Sequence, residues 1–284
     1  MDGPVSGARV ITLACRTSDR VLDGTRGSVA LASLFAEHLG IKAHTIGSAS
    51  DPLVQRWTED LDGSRGCLLE AGGQVEDAMN AGLAPVLLHA ECTAALTTLP
   101  AIARIRPDAR VLWLDAHGDY NTPETTTSGY LAGMALSGAC GDWDAGLETG
   151  FVDPARVVLA GARDIDAEER ALIDASGLTL IEGRTAMDLL PTALGTDPVF
   201  VHLDLDVLEA GELPVKFPTK DGLEIAELRQ LLVRVAEDRE IVGFEVANFQ
   251  APLDEFERML GATAVKRVVE PLLDSLKEGA HVHH

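Results

Sequence analysis

The 284-residue chain is 46% apolar, carries a formal net charge of −22 and holds four cysteines. That length suits one large α/β domain or two ordinary ones, and the acidity disfavours nucleic acid or an anionic membrane as a partner while favouring a cationic substrate. No apolar run approaches the roughly 20 residues a membrane-spanning helix needs, and the start lacks a signal peptide's basic and apolar regions, so a cytoplasmic location is the default expectation.

In chain order, eight short β-branched runs read as strands: "ARVITLAC", "KAHTIG", "APVLLHA", "ARVLWLDA", "ARVVLAGA", "LTLIEG", "PVFVHLDLDV" and "EIVGFEVA". Amphipathic stretches such as "TRGSVALASLFAEHLG", "CTAALTTLPAIARI" and "DAEERALIDASG" separate them, with Gly or Pro at many joins. Strands that alternate with helices predict a mainly parallel sheet covered on both faces, a three-layer α/β/α sandwich. Without a repeat, a low-complexity tract or a composition shift, residues 1–284 are expected to form a single domain. Its tail, about 279–284, is expected to fray, and 191–198 reads as a turn-rich connection. Cys15, Cys67, Cys92 and Cys140 form no CxxC pair and are expected to be free thiols.

Ligands of such sheets collect beyond the carboxyl ends of the strands. Five groups fall on that rim: Glu91 and Cys92; Asp115, His117 and Asp119; Arg163, Asp164 and Asp166; Asp204 and Asp206; and Glu245. Asp204 and Asp206, two apart on a strand, would point the same way. Buried like charges cost several kcal/mol unless neutralised, and a pair of divalent metals would neutralise both aspartate groups. Imidazole and carboxylate ligands suit Mn²⁺, Zn²⁺ or Fe²⁺. The plainer alternative is a solvated loop beside an aspartate pair that caps a helix.

"DAHGD" with "HLDLD" resembles the two best-marked metal motifs of the ureohydrolases, the arginase and agmatinase family. The resemblance implies Asp115, His117, Asp119, Asp204 and Asp206 as ligands of two divalent ions, Mn first and Zn or Fe next, with Asp115 and Asp204 bridging. The family's first motif departs: "HAECT" puts Cys92 where a metal-binding histidine stands, and His89 lies three residues earlier, still on the strand. A thiolate there brings a negative charge that histidine lacks. It makes the ions weaker Lewis acids and favours Zn²⁺ or Fe²⁺.

"NTPETTTSG" is similar to the arginase loop that grips an α-carboxylate, which implies Asn121 and Ser128 as its donors. "RDID" followed by Glu169 looks like the segment that receives the α-amino group, with Asp166 as the main contact; a plain helix cap remains the alternative. Glu245 matches a glutamate that pairs with the guanidinium, and Asp119 would pass a proton to the departing amine. Ala132 stands where arginases carry a proton-shuttle histidine. Together these features resemble the branch of the family that, in antibiotic biosynthesis, hydrolyses Nω-hydroxy-L-arginine to L-ornithine and hydroxyurea. Ordinary arginase activity and a degenerate non-catalytic binder are the alternatives. The expected partner is a small cationic amino acid. The family also implies a homo-oligomer, though no residue here fixes a stoichiometry.

Overall fold

The computed structural model describes residues 7–185 and 187–278, so the expected frayed tail lies outside the described residues. All eight expected strands form: β1 (Ala8–Leu13), β2 (His44–Ile46), β3 (Ala84–Leu88), β4 (Arg110–Leu114), β5 (Val157–Ala160), β6 (Thr179–Ile181), β7 (Val199–Asp204) and β8 (Ile241–Ala247). They make one sheet in the order β2-β1-β3-β8-β7-β4-β5-β6, and every pairing is parallel. Parallel strands need crossovers, which the helices supply. These are α1 (Asp23–Leu39), α2 (Trp57–Asn80), α3 (Ala95–Ile105), α4 (Ala135–Cys140), α5 (Ala167–Ser176), α6 (Leu190–Leu194), α7 (Ile225–Asp238) and α8 (Glu255–Glu278).

Strand alternation divides the core into two layers. Leu112 and Leu114 of β4 join side chains of α1, α7 and α8 on one face of the sheet. Val111 and Trp113 of the same strand join side chains of α2, α3, α4 and α5 on the other. Both faces of the sheet are therefore apolar, which is why its strands read as near-continuous β-branched runs. Close approach has its own requirement: a Cβ on Gly27 of α1 would lie 1.9 Å from the Phe249 carbonyl oxygen.

Two expectations need correction. Residues 190–194 form α6 instead of an irregular turn, with Pro191 in its first turn, where its missing N–H costs nothing. Cys15 and Cys67 are joined in a disulfide, their Cα atoms 6.5 Å apart, and only Cys92 and Cys140 are free. The pairing links the residues after β1 to α2 across 52 positions. Packing of α2 over the sheet creates that proximity, and cysteine spacing carries no sign of it. Among the described residues no helix is long and apolar enough to cross a membrane.

Candidate metal and substrate site

At the middle of the sheet β8 and β7 lie between β3 and β4. Beyond the carboxyl ends of these central strands is a cavity of about 460 Å³, at the kind of switch point where parallel sheets bind ligands. Cys92, Asp115, His117, Asp119, Asn121, Ser128, Asp166, Glu169, Asp204 and Asp206 all line it. Of the expected site residues, Glu245 alone is absent from the wall.

The inner half is a knot of carboxylates. Asp115, directly after β4, accepts the His117 N–H at 2.7 Å and the Trp113 indole N–H at 3.1 Å. Asp204 ends β7, but Asp206 lies beyond it in a 3₁₀ turn and donates its backbone N–H to the Asp204 carboxylate at 2.8 Å. Thus the two share a rim through a turn, and strand alternation does not align them. The His117 ring lies 3.4 Å from an Asp115 oxygen and 3.1 Å from an Asp206 oxygen. Burial alone would discharge this imidazole, yet the two carboxylates push its pKa up to about 12.

The remaining acids have too little positive charge nearby. Asp119 is held at φ 49°, a left-handed conformation uncommon for a side chain larger than glycine. Burial first, then the charge of Asp115, lifts its pKa well above the carboxylate range. Asp206 is lifted likewise by burial and by Asp204, and Asp204 rises through burial and Asp115. The Cys92 sulfur sits 3.0 Å from an Asp204 oxygen and 4.0 Å from Asp115. Its pKa is raised well above the usual thiol value by burial and by Asp204, Asp119 and Asp115.

Crowded acids of this kind, with a thiol and an imidazole among them, fit divalent cations, which would neutralise the aspartates and ionise the sulfur. Ligand atoms of Asp115, His117 and Asp206 lie within 4.8 Å of one another, as do those of Cys92, Asp115 and His202. Asp115 belongs to both groups.

Asn248, Tyr130, Lys216 and Arg20, none of them marked in the sequence, complete this half around the rim residue Glu91. Asn248, just past β8, donates its amide to Asp204 at 2.8 Å and to Asp206 at 3.1 Å. Glu91 accepts hydrogen bonds from the Tyr130 hydroxyl and from Lys216, and the Arg20 guanidinium lies over the Tyr130 ring, 4.6 Å from its centroid. Asn248 could have been noticed as an amide three residues past Glu245. Lys216 lies in the irregular stretch between β7 and α7, where no pattern marks it.

The outer half is more exposed. Asn121 donates to Asp166 at 3.1 Å and accepts from Thr125. Ser128 accepts from the Tyr130 backbone N–H. Asp166 is the N-cap of α5 and accepts from the Glu169 N–H at 2.8 Å, so it caps a helix and lines the cavity at once. Glu169 is buried under the loop and accepts the Tyr120 N–H at 2.9 Å. Burial lifts its pKa to about 7. A Cβ on Gly118 would come within 2.6 Å of that carboxyl carbon, so "DAHGD" needs its glycine for Glu169 to close in.

Glu245 lies beneath the residues that line the cavity. It is fully buried on β8 and bonded to His202 at 2.6 Å and to Thr98 at 2.9 Å. His89, just past β3, is also buried, 3.6 Å from Glu245.

A family model described as "Arginase family" matches residues 31–272. The N(omega)-hydroxy-L-arginine amidinohydrolase of Streptomyces lavendulae is 36% identical over 261 residues, covering 92% of this chain and 95% of that protein. The arginase of Brevibacillus brevis is 32% identical over 207 residues, 67% of this chain and 69% of its own length. Among solved structures, arginase from Bacillus cereus superposes with a TM-score of 0.78 at 25% identity, covering 93% of this chain and 98% of that one.

Proposed function

Because this chain belongs to the arginase family, and is therefore an amidinohydrolase acting on C–N bonds other than peptide bonds, we propose that its substrate is Nω-hydroxy-L-arginine, hydrolysed to L-ornithine and hydroxyurea. The observation that carries this reading is the placement of Cys92, with its sulfur 3.0 Å from Asp204 inside the carboxylate knot. The named activity of the Streptomyces lavendulae relative supports it.

Cys92, Asp115, His117, Asp119, Asp204 and Asp206 would hold two divalent ions, Mn²⁺ first, with Zn²⁺ or Fe²⁺ favoured by the sulfur. Bound there, the ions would supply Lewis acidity and a more acidic water. The rest falls to the chain's own groups. Asn121 and Ser128 offer an amide and a hydroxyl to an α-carboxylate, and Asp166 with Glu169 offers acidic oxygens to an α-ammonium. Asp119 is the cavity carboxylate assigned to carry a proton to the departing nitrogen. Ala132 lines the same cavity and offers no titrating group, so no histidine there assists the leaving amine. An N-hydroxyguanidine gives up its positive charge more readily than a guanidinium. A site whose ions are made weaker Lewis acids by a thiolate would therefore discriminate in its favour.

The test is a competition. Mn²⁺-loaded protein meets equal L-arginine and Nω-hydroxy-L-arginine, and urea and hydroxyurea are quantified separately. Hydroxyurea in large excess is expected. An excess of urea would make the enzyme an arginase with an unusual ligand, and absence of both products would point to a binder without turnover. In Cys92→His the product ratio should move towards urea; an unchanged ratio removes the account of the sulfur.

A further inference from the structure

Two residues inward from the rim carboxylates Asp115 and Asp204, three side chains stand abreast on the sheet. Trp113 of β4 is in register with His202 of β7, and His202 with Glu245 of β8. Residues in register point to the same face, so the row is laid down by strand pairing alone. The indole and imidazole rings stack at 3.5 Å and 6°. On the far side His202 Nδ1 meets a Glu245 oxygen at 2.6 Å, and its Nε2 points up at the Cys92 sulfur, 3.3 Å away. The other Glu245 oxygen accepts the Thr98 hydroxyl and faces His89 Nε2, an atom without a hydrogen-bond partner. His202 and Glu245 are both wholly buried.

Trp113, His202 and Glu245 are not among the residues that line the site cavity. Burial would lift the Glu245 carboxyl, but His202 and His89 draw it down to about 2. The Glu245 carboxylate anchors Nδ1, which turns Nε2 towards the sulfur and fixes the ring's orientation; for Nε2 to donate to a thiolate, the ring must carry a hydrogen on that nitrogen as well. Trp113 prevents the ring from tilting, and its own N–H goes to Asp115. The imidazole is therefore clamped on both sides, with one free corner aimed at Cys92.

We propose that His202 is a positioning residue for Cys92: held by Glu245 and Trp113, it hydrogen-bonds the sulfur and sets the direction and donor strength of the thiolate towards a metal. This rests on Cys92 being a metal ligand. A thiolate can rotate about its Cα–Cβ bond and donates more charge than imidazole. A hydrogen bond to the sulfur limits both effects, as outer partners of metal ligands generally do. It also gives Glu245 a task that its burial permits.

The experiment loads the protein with Co²⁺ as the probe and reads the near-ultraviolet sulfur-to-cobalt charge-transfer band, along with Co²⁺ affinity. His202→Phe keeps a flat ring against Trp113 but removes the hydrogen bond. Its band should move to longer wavelength, and affinity should fall by about 10–100-fold. His202→Gln, whose amide can still reach the sulfur, should recover part of both changes. Glu245→Gln, which leaves the ring in place but loosens its clamp, should shift the band less than His202→Phe. Band position and affinity equal to wild type in all three variants would overturn the proposal and leave the row as packing. A wild-type spectrum identical to that of Cys92→Ala is a different failure: it removes Cys92 from the metal shell and the proposal with it.

Discussion

The inner and outer halves of the cavity use similar residues for opposite physical ends. Inside, Asp115, Asp119, Asp204 and Asp206 are buried within reach of one another, and only His117 stands among them as a cation. Outside, Asn121 bonds Thr125 and Asp166, Ser128 bonds its own loop, and Asp166 bonds the helix it caps. The outer residues are satisfied by the fold, whereas the inner acids are frustrated by it. An aspartate at low cost to the protein says little about function. Aspartates whose burial is costly imply something that offsets the cost, and that asymmetry is why the inner half makes the stronger case for chemistry.

Breaking the inner half should have the largest effect. Asp206→Ala removes one carboxylate from the shared group with Asp115 and His117, and turnover of either guanidino substrate by the Mn²⁺-loaded enzyme is expected to fall to background. Retention of most of the wild-type rate would place the reaction elsewhere.

The outer half gives a smaller and more selective effect. Asp166→Ala should lower kcat/KM for α-amino acid substrates by about 10–100-fold, the value of a charge-assisted hydrogen bond, while sparing an analogue that lacks the α-amino group. Loss of the α5 cap should also cost about 1 kcal/mol of stability. Equal kinetic losses on both substrates would reduce Asp166 to its capping role.

The sharpest contrast between the halves is one of sign. In the metal-free protein, Asp119→Asn removes a repelled acid and should stabilise the fold by on the order of 1 kcal/mol, seen as a higher melting temperature than metal-free wild type. In the presence of Mn²⁺ the order should reverse, because the wild type gains more from the ion. A destabilised metal-free variant would show that the cluster is not strained.

The smallest effect lies beside the site. Burial, and then Glu91, raise the pKa of Asp19 from 3.8 to about 7. Below pH 3.8 the folded and unfolded chains both hold its proton. Between there and about pH 7 the unfolded chain releases it more readily, so the stability linked to that proton falls as pH rises. Asp19→Asn should flatten the pH dependence of chemical denaturation across this window, and an unchanged slope would mean that Asp19 is already ionised in the fold.

What could be read from the sequence follows from how local its causes are. Each strand announced itself because β-branched runs bounded by Gly or Pro have few other folds, and "DAHGD" and "HLDLD" each fit within one rim connection. Where sequence reading failed, the cause was long-range. Asp204 and Asp206 were expected to share a strand face, but the chain turns between them. The contact of Glu245 with His202 follows from the register of β7 with β8, which no local pattern reveals. His202 itself lies inside the quoted motif, two residues before Asp204, yet nothing local reveals that its partners come from β8, β4 and the turn after β3. The Cys15–Cys67 disulfide likewise depends on how α2 crosses the sheet.

The most direct test of the central claim, that the inner half is built around two cations, is a count of bound metal. Chelator-stripped protein would be titrated with Mn²⁺ by calorimetry, with bound metal verified by elemental analysis and thermal melts recorded in parallel. The account predicts saturation at two ions per chain and a melting temperature that rises with occupancy. Saturation at fewer than two ions per chain, or binding that leaves the melting temperature unmoved, would contradict it.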